Sequence, residues 1–406
     1  MLRDKPMLIG IDRLLSDAHL RLPLVGKRIG LVGHPASVTS HLVHSLDALC
    51  DCNDLKITAA FGPQHGMRGE KQDNMIESDN FVDAKHKIPV FSLYGEVRRP
   101  TDEMMDQFDI LLFDVQDLGC RIYTYITTLL YLMEACAQKG KTIWILDRPN
   151  PAGRTIEGNL LQEGWQSFVG AGKIIMRHGL TMGEMANWYA KYHKLDVALR
   201  IITMDGYDPD SAPGYGWPVG DLAWVNPSPN ASSLNMARCY SGTVVLEGTE
   251  LSEGRGTTVP LEIMGAPDID IDSVMAKMID LAPQWMQGAF VRPLYFEPTF
   301  HKHVGKLCQG VQIHTDTHHY NPNTFVPFRL TLSFLKAIRL LYPDYALWRK
   351  FDYEYEKDKL PFDVINGGTS IREWIDNDNA TAGDLEKRLK QDEQIWFDSI
   401  QDILLY

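Results

Sequence analysis

The chain is predicted to be an α/β protein, with a doubly wound parallel-sheet domain followed by a separate α+β C-terminal domain. Three observations predict it. Over the first 150 residues strand-like runs alternate with helix-like ones, the pattern of a doubly wound sheet. Those runs are apolar throughout rather than at every second position, as strands covered on both faces are. The polar motifs fall together at the C-terminal ends of the strands, the edge where parallel sheets bind ligands.

The elements follow in order. KRIGLVG (27–33) is the first strand and LKITAAFG (55–62) the second. IPVFSLYG (88–95), DILLFDVQD (109–117) and KTIWILDRPNP (141–151) are the third to fifth. HLVHSLDALC (41–50) has helical spacing, and YITTLLYLMEACAQKG (125–140) is a helix that stops at Gly140, where a C′ glycine belongs. A further helix follows HGLTMGEMA (178–186), with Thr181 and Glu184 at capping-box spacing. ALRIITMDGYD (198–208) is another strand. The Pro- and Gly-rich segment 208–233 marks a boundary or a long functional loop. Beyond it TVVLEGTE (243–250) and KLCQGVQIHTD (306–316) read as strands. FRLTLSFLKAIRLLYP (328–343) and the tail from Ala382 read as helices. The expected domains are therefore 1–232 and 233–406.

Bulk properties narrow the function. The 406 residues carry a net charge of −13, which argues against a nucleic-acid surface, since phosphates need clustered Lys and Arg. A local basic pocket for a small anion remains compatible with it. The six cysteines stand at 50, 52, 120, 136, 239 and 308 with no CxxC pair, so neither zinc nor a disulfide framework is expected. No window offers the roughly 18 apolar residues of a membrane span. The N-terminal stretch MLRDKPMLIGIDRLL lacks the long apolar region of a secretory signal. The reading is cytoplasmic, with no membrane partner; a homo-oligomer is compatible with it.

Each motif carries a functional and a structural reading. FGPQHGMRG (61–69) offers backbone freedom, a proton shuttle in His65 and an anion ligand in Arg68. The alternative is a turn tied down by those side chains. Glu70, Asp73 and Asn74 follow at once. In DVQDLGCRIYTY (114–125), Asp114 and Asp117 end an apolar strand, where a carboxylate is costly unless paired or functional. Arg121 could neutralise one of them, and Tyr123 and Tyr125 could stack on a sugar. In DRPNPAGRTIEG (147–158), Asn150 is held extended between two prolines and could present its amide, or Asp147 could simply cap nearby amides. NPSPN (226–230) and EGTELSEGRGTT (247–258) complete the set, the second with Glu253 and Arg255.

No cofactor is expected. GxxxxGK[ST] is absent, no GxGxxG follows the first strand, and no GxSxG elbow appears. HTDTHHY (314–320) matches no standard metal spacing, and a solvated loop is the plainer reading.

Taken in order, FGPQHGMRG, DVQDLGCRIYTY, DRPNPAGRTIEGN, HGLTMGEMA, NPSPN and EGTELSEGRGTT resemble the motifs of the exo-β-N-acetylmuramidase family, the NamZ-type glycoside hydrolases, over most of the chain. The resemblance implies a Rossmann-like parallel-sheet domain followed by a smaller α+β C-terminal domain, with the active site in the cleft between them. It implies release of N-acetylmuramic acid from non-reducing ends of peptidoglycan fragments, with a small saccharide or muropeptide as partner. Motif placement, rather than the resemblance, proposes Glu70 or Asp117 as acid/base, with Gln64 and His65 orienting substrate or water. Arg68 and Arg121, with Arg255, would hold the lactyl carboxylate, and Tyr123 and Asn150 would shape the sugar pocket. Asn74, Asp147, Asn226 and Glu253 complete the substrate-binding set. One position departs from the family. Its pattern reads GPEHGxRG with a catalytic Glu, and here that residue is Gln64, whose amide cannot serve as a general acid. Either another carboxylate serves (Glu70, Asp117 or Glu253), or Gln64 positions a water or an acetamido group, or the protein binds without hydrolysing.

Overall fold

In a computed structural model the described residues are 7–69, 71 and 76–406. Among the described residues nine strands lie in the first half. They are β1 (Ile29–Val32), β2 (Ile57–Gly62), β3 (Phe81–Val82), β4 (Pro89–Ser92), β5 (Ile110–Phe113), β6 (Thr142–Leu146), β7 (Glu157–Leu160), β8 (Ile175–Arg177) and β9 (Ala198–Ile202). Seven form one sheet in the order β3-β4-β2-β1-β5-β6-β9. All its pairings are parallel except that of β3 with β4. Without the β3 edge the order is that of a doubly wound nucleotide-binding sheet, whose switch point lies between β1 and β5. Every residue of β1 and β5 is buried, as helices on both faces require.

The five strands read from the first 150 residues, and the one from 198, are all in this sheet. The helix Tyr125–Lys139 ends on Gly140 in the left-handed conformation, φ 61°. The helix Met182–Tyr192 starts at the Thr181–Glu184 capping box. Residues 41–50 are helical only from Ser45, because Leu42 takes φ 62° and turns the chain first.

One strand was misread. TVVLEGTE (243–250) is the end of the helix Leu234–Thr243 followed by a 3₁₀ turn, Val244–Gly248. Val244, Val245 and Leu246 are fully buried, and a short run that is apolar on every side fits a buried helix as well as a buried strand. The Ser233 cap, whose hydroxyl accepts from Met236 N at 2.9 Å, decides for helix.

The second half holds β10 (Ile263–Ala266), β11 (Phe290–Phe296) and β12 (Cys308–His314), an antiparallel sheet in the order β10-β12-β11. Helices Ile271–Leu281 and Pro327–Leu341 pack together beside it. The last helix, Ala382–Ile400, returns to the first half and packs on β7. Trp396 donates to His178 O at 2.9 Å, and the Tyr406 hydroxyl donates to Asp147 at 2.9 Å. A single apolar cluster joins Phe61 and Ile145 of the parallel sheet to Val245, Phe328 and Trp396. Among the described residues no helix is long and apolar enough to cross a membrane.

Candidate active site

A pocket of about 220 Å³ opens beyond the C-terminal ends of β2 and β5. Its floor comes from the strand-end loops, as Gln64, His65, Tyr123 and Thr124. Its other walls come from the second half, as Tyr240, Glu247, Arg255, His301, Arg349, Tyr353 and Glu354.

The β2 loop is folded tightly back on itself. A Cβ on Gly62 would sit 2.6 Å from Met67 N, so only glycine fits. His65 takes φ 72°, a left-handed conformation that costs a non-glycine residue about 1–3 kcal/mol. Its Nδ1 lies 3.0 Å from Lys71 O. The Gln64 amide is oriented at both ends. Thr124 Oγ1 donates to its Oε1 at 2.7 Å, and its Nε2 points to Glu354 Oε1 at 3.5 Å.

Two carboxyl groups line the pocket among the described residues, and their surroundings differ. Glu247 is anchored on both oxygens, by Arg255 Nη2 at 2.5 Å and the Tyr353 hydroxyl at 2.8 Å. Arg255 in turn lies 3.2 Å from Glu253. Glu253 is fully buried, and burial alone would raise its pKa. Lys302 at 2.7 Å, Arg255 and His301 more than offset that and bring it down to about 2. Glu354 is 7% exposed and has no cationic partner within ion-pair distance among the described residues. Burial pushes its carboxyl up to about 7, and repulsion from Glu247 adds to this. Hydrogen bonds from Tyr94 and Gln64, and the charge of Arg98, pull it back. The Tyr94 hydroxyl stands 3.0 and 3.2 Å from the two Glu354 oxygens.

The segment that delivers Glu354 is strained. Glu354 and Tyr355 have φ 46° and 71°. Tyr353 and Glu356 bridge across them, and the Arg98 guanidinium sits between the Tyr94 and Tyr355 rings, 4.1 and 4.4 Å from their centroids. Arg349 is half-buried beside Phe351, 4.7 Å from the ring centroid. Among the described residues no carboxylate lies within ion-pair distance of it.

The structure brings Gln64, His65, Tyr123 and Arg255 together in this pocket, with Glu253 directly behind Arg255. It takes the other sequence candidates elsewhere. Arg68 is exposed and pairs with Asp47 at 3.3 Å and Asp83 at 3.7 Å. Arg121 is fully buried and spends its guanidinium on the carbonyls of Asn159, Ile174 and Ile365. Asp117 accepts from Gly119 N at 2.6 Å and lies 3.3 Å from His178, shaping the β5 loop. Asp147 is buried and caps the helix Met182–Tyr192 through Thr181 and Gly183, both at 2.8 Å. Asn150 ties together Ala152, Gly153 and Leu180. Asn226 is exposed, while Ser228 and Asn230 of its motif line the pocket. Glu70 and Asn74 lie outside the described residues. Sequence reasoning missed Glu354, Tyr353, Arg349 and His301. For Tyr353 and Glu354 the one signal was the alternation of Phe351, Tyr353 and Tyr355 with acids in FDYEYE (351–356), a texture too aromatic for a solvated charged loop.

Comparison with known proteins bears out the resemblance. The family model for the N-terminal part of exo-β-N-acetylmuramidase NamZ matches residues 29–235, and the model for its C-terminal part matches 238–406. The chain is 39% identical over 390 residues to the peptidoglycan β-N-acetylmuramidase NamZ of Bacillus subtilis (strain 168), covering 94% of this chain and 88% of that protein. Two crystal structures of DUF1343 family proteins from Bacteroides fragilis NCTC 9343 share the fold over 99% of both chains. Their TM-scores are 0.83 at 31% identity and 0.72 at 26% identity.

Proposed function

The chain belongs to the exo-β-N-acetylmuramidase NamZ family, and from that premise we propose that it is a glycoside hydrolase releasing N-acetylmuramic acid from non-reducing ends of peptidoglycan fragments. One observation carries the reading: a single pocket gathers two carboxyl groups, aromatic walls and a cation with no carboxylate partner among the described residues. Glycoside hydrolysis needs the carboxyl pair. Tyr123, Tyr240 and Tyr353 offer faces for a sugar ring. Arg349 takes the lactyl carboxylate, the role first assigned to Arg68 and Arg121, because a guanidinium with no carboxylate partner is the group that gains most from an incoming anion. A pocket of about 220 Å³ is smaller than the roughly 300–1,000 Å³ of sites for drug-sized ligands. That suits one terminal sugar and hence exo action. Gln64 and His65 orient the sugar at the pocket floor.

The division into 1–232 and 233–406 belongs to the same reading, with the pocket drawing residues from both sides. So does a role in cell-wall recycling in the cytoplasm, in keeping with six free cysteines.

A second reading rests on the amide at position 64, namely a protein that binds muramyl sugars without turnover. Aryl β-glycosides of N-acetylmuramic acid and of N-acetylglucosamine separate the two. Turnover of the muramic glycoside, with the glucosamine analogue at least about tenfold slower for want of one charge-assisted contact, supports the hydrolase. Calorimetric binding with no turnover supports the second reading, and preference for the glucosamine analogue overturns both.

A further inference from the structure

We propose that Glu354 is the proton donor to the glycosidic oxygen, supplying from the far end of the chain the carboxyl that residue 64 lacks. The assignment rests on the hydrolase reading above and deepens it. Among the described residues the pocket offers Glu247 and Glu354 as its carboxyls. Both oxygens of Glu247 are engaged, one by Arg255 and one by Tyr353. Among the described residues Glu354 takes its hydrogen bonds from a hydroxyl and an amide, Tyr94 and Gln64, with no ion pair. It also stands at the end of the pocket where the β2 loop presents its motif, since the Gln64 amide nitrogen reaches it at 3.5 Å. An amide at 64 is compatible with a neighbouring carboxylic acid, whereas a second carboxyl there would compete for the same proton.

The backbone argues in the same direction. Two successive non-glycine residues, Glu354 and Tyr355, are held in the left-handed region, and the Arg98 stack and the Tyr353–Glu356 bridge hold them there. Strain of this kind persists where the surroundings over-determine a functional conformation. Burial supports the role by keeping the carboxyl protonated up to about pH 7, where a general acid must hold its proton. The groups facing it are Tyr94 and Arg98 from the β4 loop, Gln64 from the β2 loop and Glu247 from the 3₁₀ turn.

In the step itself, the O–H bond of Glu354 breaks as its proton moves to the glycosidic oxygen. The bond from the anomeric carbon to that oxygen breaks with its electron pair going to the departing alcohol, which leaves neutral. Water adds its hydroxyl to the anomeric carbon, and its other proton passes to Glu247, the remaining carboxylate of the pocket. Exchange with solvent returns both carboxyls to their starting states.

The test compares Glu354→Gln with wild type on two substrates. One is the disaccharide of N-acetylmuramic acid β-linked to N-acetylglucosamine, whose leaving group needs a proton. The other is a dinitrophenyl β-glycoside, whose leaving group does not. The expected result is a loss of about 10²–10⁴-fold in kcat on the disaccharide, a much smaller loss on the aryl glycoside, and disappearance of the alkaline limb of the pH profile. Equal losses on both substrates, or a disaccharide rate within threefold of wild type, would overturn the assignment. Tyr94→Phe gives a second reading that survives any folding defect of the first variant. Loss of a donor to the carboxylate should move the alkaline limb of kcat upward, and an unmoved limb speaks against Glu354. Absence of turnover by the wild-type chain would sink the hydrolase reading itself. Wild-type turnover with an indifferent Glu354→Gln would sink only this assignment.

Discussion

Two clusters of buried polar groups sit on the same edge of the parallel sheet, and only one has room for a ligand. The first fills the switch point between β1 and β5. His34 meets Gln116 O at 3.1 Å, Arg148 grips Asp114 at 2.6 and 2.9 Å, and Ser37 and Ser45 close on the Asp114 segment. The space left beside it is about 20 Å³, about enough for one water. The second cluster, around Gln64 and Glu354, leaves about 220 Å³. Arg349 there has no carboxylate partner among the described residues. The Asp114 and Arg148 motifs of the first and the Gln64 motif of the second were equally visible as polar motifs at strand ends. What separates scaffold from site is whether the hydrogen-bonding capacity is consumed internally, and strand-end polarity alone does not report that.

The comparison can be broken first at Arg148. If the switch-point cluster is scaffold, Arg148→Met should cost about 3–5 kcal/mol in denaturant unfolding, because it leaves Asp114 buried and unpaired. A loss of activity at unchanged stability would make that cluster part of the site. Arg349→Met should do the reverse. It should leave stability within about 0.5 kcal/mol and lower kcat/KM for the muramic glycoside by about 10–100-fold, the value of a charge-assisted hydrogen bond. The rate on the glucosamine analogue should not change.

The next effect is in pH. The folded-state value of Glu354, about 7, lies above the roughly 4.3 of a free glutamate. The protonated carboxyl therefore stabilises the fold at low pH, and that contribution is lost as pH rises from about 4 through 7. Glu354→Gln has nothing to lose there. Its stability relative to wild type should rise by about 1–3 kcal/mol between pH 4 and pH 8. Asp147 and Glu157, also raised by burial to about 6 and 7, titrate alike in both proteins and cancel. A gap independent of pH contradicts a raised carboxyl. The smallest effect belongs to Arg68→Ala, an exposed pair worth at most about 1 kcal/mol, with KM unchanged. A tenfold rise in KM would return the carboxylate subsite to the β2 loop.

The fold was legible because its signals are local. Apolar runs, the Gly140 stop and the Thr181–Glu184 box each need only a few neighbours, and each stands where it was read. Residues 243–250 were misread because a run buried on all sides carries no period. The site was half legible. Gln64, His65, Tyr123 and Arg255 were found through loop position and motif. Arg121, Asp117, Asp147 and Asn150 were equally conspicuous, but each is also engaged by a group far along the chain (Ile365 O, His178, Thr181 and Leu180 O respectively), and nothing local announces those. Glu354 was hidden for the opposite reason. It sits in a loop among acids and lysines, away from any strand end, and only the fold turns Tyr353 and Glu354 inward.

The contact between Gln64 and Glu354 spans 290 positions. A ribosome adds residues at roughly 5–20 per second, so about 15–60 s pass between the synthesis of one and of the other. During that interval the β2 loop can already be folded on its sheet while the acid has yet to be made. A muramidase assembled in this order has no competent active site until the chain has grown past Glu354, and its activity begins only after that.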